Sequence, residues 1–321
     1  EFLHNPLVEN GVRLLTNHSV AAFESQGSDR ALRVKVKHET SGVASDLDAD
    51  FVVLAIGVAP ETVLARSAKI HCNATGHIVV DDFQRTSAPN VYAVGDAVET
   101  RDLVFPERRA AVALGNIANM QGRIAADHIV AEAIAPRPPT ATGEKKSMQH
   151  PNVVPYAGSL GTSIVRAFDT VVAITGWSEK RLQAAGIAYG TATVTVDSHA
   201  GYYPGALPVT IKVTYDPNTG RIYGGQAAGV DGVDRRVDVL ATAITGKLTV
   251  DDLSLTQLCY SPPFGSARDA VNVVALAARN ARSGSVRTVT GAAALAPGDG
   301  SVVIDVRPAE SASLAPVASA I

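Results

Sequence analysis

The sequence predicts a mixed architecture: α/β units first, then an α+β unit. Three observations carry that expectation. Two apolar runs, Phe51–Ile56 and Val91–Val94, each end at a glycine, as strands covered on both faces of a parallel sheet do. A long helical pattern follows from about Arg109 to Ile134. From about residue 152 to 283, strands with alternating side chains and short amphipathic helices come in blocks, which favours α+β over a repeating βαβ pattern.

The elements justify themselves in order. Phe2 to Asn10 has the composition of a short helix stopped by Gly11. Val12 to Leu15 is a candidate strand. Ala31 to His38 alternates Leu32, Val34 and Val36 with Arg33, Lys35 and Lys37, so one face is solvated. Phe51 to Ile56 runs into Gly57 and Pro60, and Ile78 to Val80 is a short strand. Thr86-Ser-Ala-Pro-Asn-Val-Tyr-Ala-Val-Gly-Asp-Ala97 reads as turn, buried strand and polar terminus. A glycine at such a strand end lets backbone approach a ligand, and the Asp96 carboxylate can accept a hydrogen bond from a sugar-like hydroxyl. Leu114, Ile117, Met120 and Ile124, then Ala125, Ile129 and Ala133, recur at helical spacing.

Ala135 to Thr142 is rich in Pro, Ala and Thr, and residues 136–151 read as a linker. Beyond it, Val171 to Ile174 is a strand, and Ser178 caps a helix that Gly186 closes. Thr191 to Val196 alternates. Val209, Ile211, Val213 and Tyr215 alternate with Thr210, Lys212 and Thr214, and Asp216-Pro-Asn-Thr-Gly220 turns the chain into a hairpin that extends to Gln226. Val237, Leu240, Ala241 and Ile244 mark one helix. Thr249 with Asp252 forms a capping box for the next, and Val271, Val274, Ala275 and Ala278 mark the last. Residues 284–299 are Gly/Ala/Ser/Thr-rich, a flexible linker by composition.

Bulk properties exclude some classes. A chain of 321 residues with net charge −3 is long enough for real cores and carries no electrostatic footprint for nucleic acid. No apolar run is long enough to span a bilayer, so no membrane partner is expected. No signal peptide is visible. Two cysteines, Cys72 and Cys259, give no disulfide framework and no metal-ligand spacing, and fit a reducing cytoplasm.

The string from Thr86 to Ala97 closely resembles the second flavin fingerprint of the FAD-dependent pyridine nucleotide–disulfide oxidoreductases, T-x-x-x-x-(I/V)-Y-A-(I/V)-G-D. The resemblance implies FAD and NAD(P)H as cofactors, with Gly95, Asp96 and Ala97 at the ribityl chain and pyrophosphate. It also puts the start of the long helix at the flavin pyrimidine ring, with contacts from Ala113, Leu114 and Gly115. The stretch Ala113-Leu-Gly-Asn-Ile-Ala-Asn-Met-Gln-Gly-Arg123 keeps the Gln-Gly-Arg of relatives and lacks their two prolines and basic residue.

On this basis residues 1–73 are the C-terminal part of an NAD(P)-binding domain, 74–135 the returning segment of a Rossmann-like FAD domain, and 152–283 a dimerisation domain. No G-x-G-x-x-G precedes residue 57, and the redox cysteine of the family is missing, so the chain reads as a C-terminal fragment, inactive alone.

Two Gly/Pro-rich loops carry tyrosines: Ser198-His-Ala-Gly-Tyr-Tyr-Pro-Gly-Ala206 and Leu258-Cys-Tyr-Ser-Pro-Pro-Phe-Gly-Ser-Ala-Arg-Asp-Ala-Val-Asn272. Both resemble motifs of the CoA-disulfide reductase branch, with Arg268 for the usual Lys and Ala270 for the usual Pro. The resemblance implies a homodimer in which Tyr260, and Tyr202 or Tyr203, approach the redox cysteine of the other subunit. Spacing does not choose between those two. A phenol there can donate its proton to a leaving thiolate of a small disulfide or persulfide substrate. Cys259 is read as packing, and His199 as a general base, a CoA contact or simply polar surface. An NADH oxidase or peroxidase, or an inactive dimerisation and flavin-supporting module, are the other readings. Ser301-Val-Val-Ile-Asp-Val-Arg307 resembles the first strand of a rhodanese domain, so residues 300–321 are expected to begin one.

Overall fold

The computed structural model describes residues 2–25, 27, 32–134, 153–288, 302–314 and 316–317. The linker expected over 136–151 and most of that over 284–299 lie outside them. The architecture is mixed α/β, with three separate sheets among the described residues.

The first region opens with helix α1 (His4–Glu9), which Gly11 stops as expected, followed by the antiparallel meander β1 (His18–Ser25), β2 (Leu32–His38) and β3 (Ala44–Ala49). In β2 the alternation holds: Val34 and Val36 are buried. Val12 to Leu15 forms no ladder. Neither does Phe51 to Ile56, the strand expected from its apolar run; Phe51, Val53 and Ile56 are 76%, 76% and 86% exposed. A strand buried on both faces needs neighbouring strands, and this stretch pairs with none among the described residues. Helix α2 (Val63–Ser67) follows.

The second region pairs β4 (Ile78–Val79) in parallel with β5 (Val98–Arg101), which pairs antiparallel with β6 (Arg109–Ala110). The expected strand Val91–Val94 is extended but makes only an isolated bridge, Tyr92 to Arg85. It again lacks flanking strands. Helix α3 spans Gly115–Ile134, not Arg109–Ile134, because Arg109 and Ala110 are taken by β6. Its buried face is Ile117, Gln121, Ala125 and His128, while Met120, Ile129, Val130 and Ile134 stay exposed.

The third region holds the main core. Strands β7 (Ser163–Ala167), β8 (Thr170–Gly176), β9 (Gly190–Asp197), β10 (Pro208–Tyr215) and β11 (Ile222–Gly229) form one antiparallel sheet in the order β7-β8-β11-β10-β9. Helix α4 (Glu179–Ala184) is capped by Ser178, whose Oγ accepts from the Arg181 N–H. Helix α5 (Val233–Thr245) packs on β8 and β11, and α7 (Ala270–Arg282) on β9 and β10, with α6 (Val250–Leu255) against α7. Val209, Ile211, Val213, Leu240, Val271 and Val274 are fully buried between them. The predicted hairpin and capping box are both present.

Asp102 joins the second region to the third. Its Oδ1 accepts from the Val104 and Phe105 N–H groups, and its Oδ2 from Trp177 Nε1 at 2.8 Å and Arg181 Nη2 at 2.9 Å. At the C-terminal end, residues 302–307 form no strand of two or more residues, and Val302, Ile304 and Val306 are exposed. Arg307 folds back on Asp305 at 2.6 Å and holds that carboxyl down to about 2. Helix α8 (Ala309–Leu314) follows.

Candidate functional site: a glycine turn and a pair of tyrosine loops

Gly95, Asp96 and Ala97 form a single 3₁₀ turn between the extended Val94 and β5. Gly95 has φ +82°, a conformation that disfavours any side chain. Its N–H donates to Gln121 Oε1 at 2.7 Å. Gln121 is fully buried on α3, so this residue of the Gln-Gly-Arg triplet ties the helix to the turn. The Gln121 Nε2 is buried without a partner, a costly state for an amide in a finished fold. The Asp96 carboxylate is exposed and makes no hydrogen bond or ion pair among the described residues. A positive-φ glycine, a free carboxylate and an unspent buried amide fit a polyol or phosphate-bearing ligand at this edge. Ala113 and Leu114 precede α3 instead of lying inside it, and Gly115 is its first residue; Ala113 and Gly115 are exposed.

The two tyrosine loops meet. The Ala200 N–H donates to the Pro262 carbonyl at 3.3 Å. The Tyr202 and Tyr260 hydroxyls lie 3.4 Å apart, with those side chains projecting into solvent. This contact, and then burial, push the Tyr202 phenol above its ordinary range. Tyr203 turns the other way: its ring stands edge-on to His199, centroids 5.8 Å apart. The geometry thus separates two neighbouring tyrosines that spacing could not.

His199 is not polar surface. It is 7% exposed, with Nδ1 at 3.1 Å from Ser198 Oγ and Nε2 at 3.3 Å from the Pro204 carbonyl. Both ring nitrogens are engaged within its own loop, which suits a scaffold, not a general base. Cys259, expected to be a packing residue, is instead exposed, because its loop runs over the surface; it edges a cavity of about 410 Å³ with Arg268 and Asn272.

One residue of this neighbourhood escaped the sequence reading. Arg236 on α5 is 1% exposed, and Nε and Nη2 bind both carboxylate oxygens of Asp269 at 3.1 and 2.8 Å. In the sequence it is only one more polar residue between Val233 and Val237, and its partner lies 33 residues away. Among the described residues, no group of three or more His, Cys, Asp and Glu could hold a metal ion, and no helix is long and apolar enough to cross a membrane.

These features match known proteins region by region. Residues 1–122 match the family model of pyridine nucleotide-disulphide oxidoreductases, and residues 162–271 match that of the dimerisation domain of the same family. The chain belongs to the pyridine nucleotide-disulphide oxidoreductase family, whose cofactors are FAD and NAD(P)H. Coenzyme A disulfide reductase of Staphylococcus aureus (strain bovine RF122 / ET3-1) is 32% identical over 230 residues, 72% of this chain and 48% of that protein. Reduced Bacillus anthracis CoADR-RHD superposes with a TM-score of 0.83 at 37% identity, covering 100% of this chain and 52% of that one. An NAD-dependent persulfide reductase from A. fulgidus gives a TM-score of 0.78 at 32% identity, over 90% of this chain and 48% of that one. The chain spans about half the length of the curated relatives it matches.

Proposed function

We propose that this chain supplies the dimer-forming, flavin-supporting part of an NAD(P)H-dependent reductase of coenzyme A disulfide or a related persulfide. The observation that carries the reading is the exposed Tyr202–Tyr260 pair, built from two loops far apart in sequence and aimed at solvent. The similarity to a coenzyme A disulfide reductase and a persulfide reductase supports the substrate class.

Each residue then has a task. Asp96 accepts a hydrogen bond from a ribityl hydroxyl of FAD, and the Ala97 N–H faces its pyrophosphate. Ala113, Leu114 and Gly115 place the positive end of α3 at the pyrimidine ring. When bound, FAD supplies the two-electron relay between nicotinamide and a cysteine thiol; neither Cys72 nor Cys259 is that cysteine. In a homodimer, Tyr260 donates its proton to the thiolate that leaves as the substrate S–S bond breaks, and Tyr202 holds the Tyr260 hydroxyl in place. Tyr203 is structural.

The test is a pair of stopped-flow half-reactions on the complete flavoenzyme. Tyr260→Phe should slow disulfide reduction by at least tenfold, the low end of general-acid help being about a hundredfold, and leave flavin reduction by NAD(P)H intact. Tyr203→Phe should change neither. Unaltered disulfide reduction in Tyr260→Phe sinks the proton-donor role. Residues 1–321 alone, with FAD, NADH and coenzyme A disulfide, should show no turnover, since they contain no glycine loop for either pyrophosphate before residue 57. Turnover would overturn that part of the reading.

A further inference from the structure

We propose that Arg236 is the positioning residue that sets the Tyr202–Tyr260 pair, by clamping the entry of one tyrosine loop to the exit of the other. This inference rests on the proposed role of the tyrosines and adds a residue outside both loops.

The guanidinium makes four hydrogen bonds. Nε and Nη2 take the two oxygens of Asp269; Nη2 also donates to the Ser198 carbonyl at 2.7 Å, and Nη1 to the Gly232 carbonyl at 2.9 Å. Ser198 opens the loop that carries Tyr202. Asp269 closes the loop that carries Tyr260, and its Oδ1 also caps α7 through the Val271 N–H at 3.1 Å. One planar fork therefore fixes where both loops are rooted, while the Ala200–Pro262 bond joins them nearer their tips.

Burial makes the case sharper. Arg236 is among the largest fully buried side chains described. A buried cation is expensive, and an apolar side chain of similar volume is often as stable in its place. Core stability alone would not select this residue. What an apolar side chain cannot do is hold a carbonyl and a carboxylate from two loops at fixed separation. The backbone makes room for it as well: Gly232 has φ +71°, and a Cβ there would collide with Arg236 Nη1. Arg235 adds a second contact to Asp269 Oδ2 at 3.1 Å but is partly exposed, and no hydrogen bond joins it to Ser198, so it does not link the two loops. Replacing Arg236 with lysine keeps the charge and loses the fork.

The test is a double-mutant cycle in the complete flavoenzyme, with Arg236→Lys and Tyr202→Phe singly and together. Arg236→Lys should slow disulfide reduction about tenfold, the scale of one charge-assisted hydrogen bond, and leave flavin reduction unchanged. In the Tyr202→Phe background the same substitution should cost clearly less, since only the rooting of the Tyr260 loop through Asp269 is left to lose. A full and equal loss in both backgrounds overturns the proposal, because a general packing defect does not depend on the Tyr202 hydroxyl.

A second readout does not use activity. Tyrosinate absorbance is titrated for each protein, and the Tyr202→Phe curve is subtracted from its parent. The late-ionising phenol should be present in the parent and fall to the ordinary range in Arg236→Lys; an unmoved curve overturns the proposal. If Tyr202→Phe is itself inert in the disulfide half-reaction, the proposed chemistry fails, and this titration still decides the clamp. Should Arg236→Lys not fold, Asp269→Asn keeps the α7 cap, weakens the fork, and is read in the same way.

Discussion

Val209, Ile211 and Val213 are completely buried, whereas Val53, Leu54 and Ile56 are 76%, 61% and 86% exposed. Both sets come from apolar stretches that sequence alone assigns to strands. The difference lies in their neighbours. Strand β10 has β9 on one side, β11 on the other and α7 across its face. The run from Phe51 has none of these. An apolar run states a demand for burial, and only the rest of the fold decides whether it is met. The core of residues 153–288 meets it, with Val104 packed into that core; residues 2–134 meet it in places, at Val98 and Ile117, and leave Phe51, Val53, Leu54 and Ile56 exposed.

The largest expected effect comes from separating the two. Residues 153–288 alone should fold cooperatively and sediment as a dimer at micromolar concentration, with the apolar core expected of an obligate interface. Residues 2–134 alone should aggregate or lack a cooperative melt. A well-folded, monomeric 2–134 would break the comparison, and a monomeric 153–288 would remove the dimer from the proposed function.

Next is a paired substitution. Leu240→Ala, deep in the core, should cost about 2–5 kcal/mol, while Ile56→Ala should change stability by less than about 0.5 kcal/mol. Chemical denaturation of both variants measures the contrast directly. A large loss at Ile56 would mean that its face is covered in solution, for instance by a second copy.

Asp96→Ala tests the open side of the molecule without touching its core. In the complete enzyme it should weaken FAD retention about ten- to a hundredfold, the loss of one hydrogen bond to a charged group. Because Asp96 spends its carboxylate on nothing else described, the melting temperature of the protein freed of flavin should not move. Unchanged FAD content after dialysis would count against the assignment.

Much of this was legible, and the exceptions share a cause. The β10–β11 hairpin, the α6 capping box and the face of β2 were readable because their signals are local: alternation, turn residues, a cap three residues from its partner. Strands β1 and β3 were missed since His18–Ser25 and Ala44–Ala49 are largely exposed and lack apolar alternation; they exist by pairing with β2. Phe51–Ile56 and Val91–Val94 were misread for the opposite reason, having the pattern without the partners. At the site, the two tyrosine loops stood out by their motifs, but that Tyr202 meets Tyr260 while Tyr203 meets His199, and that His199 is buried, depend on how two distant loops cross. Arg236 left no trace, since the buried pair it forms spans α5 and the start of α7.

The smallest effect sharpens the comparison at helix ends. In the third region α4, α6 and α7 each have a side-chain cap, from Ser178, Thr249 and Asp269. In the first, α1 and α2 have none; Thr62 precedes α2 but spends its hydroxyl on the Gly76 carbonyl at 2.8 Å. Thr249→Ala should therefore cost about 1 kcal/mol as a lost cap. Its pH dependence carries a sign. Hydrogen bonds from the Thr249 N–H at 2.9 Å and hydroxyl at 2.7 Å hold the Asp252 carboxyl below its ordinary 3.8. A lowered carboxyl favours folding above the unfolded value and loses that contribution as pH falls through the folded one. The gap in stability between parent and Thr249→Ala should then be constant at neutral pH and shrink below about pH 4. Melting curves of the two proteins from pH 7 to about pH 3 test this. A gap that persists unchanged into acid would show that the threonine stabilises α6 through its own hydroxyl on the Asp252 N–H alone, with the carboxylate contributing nothing.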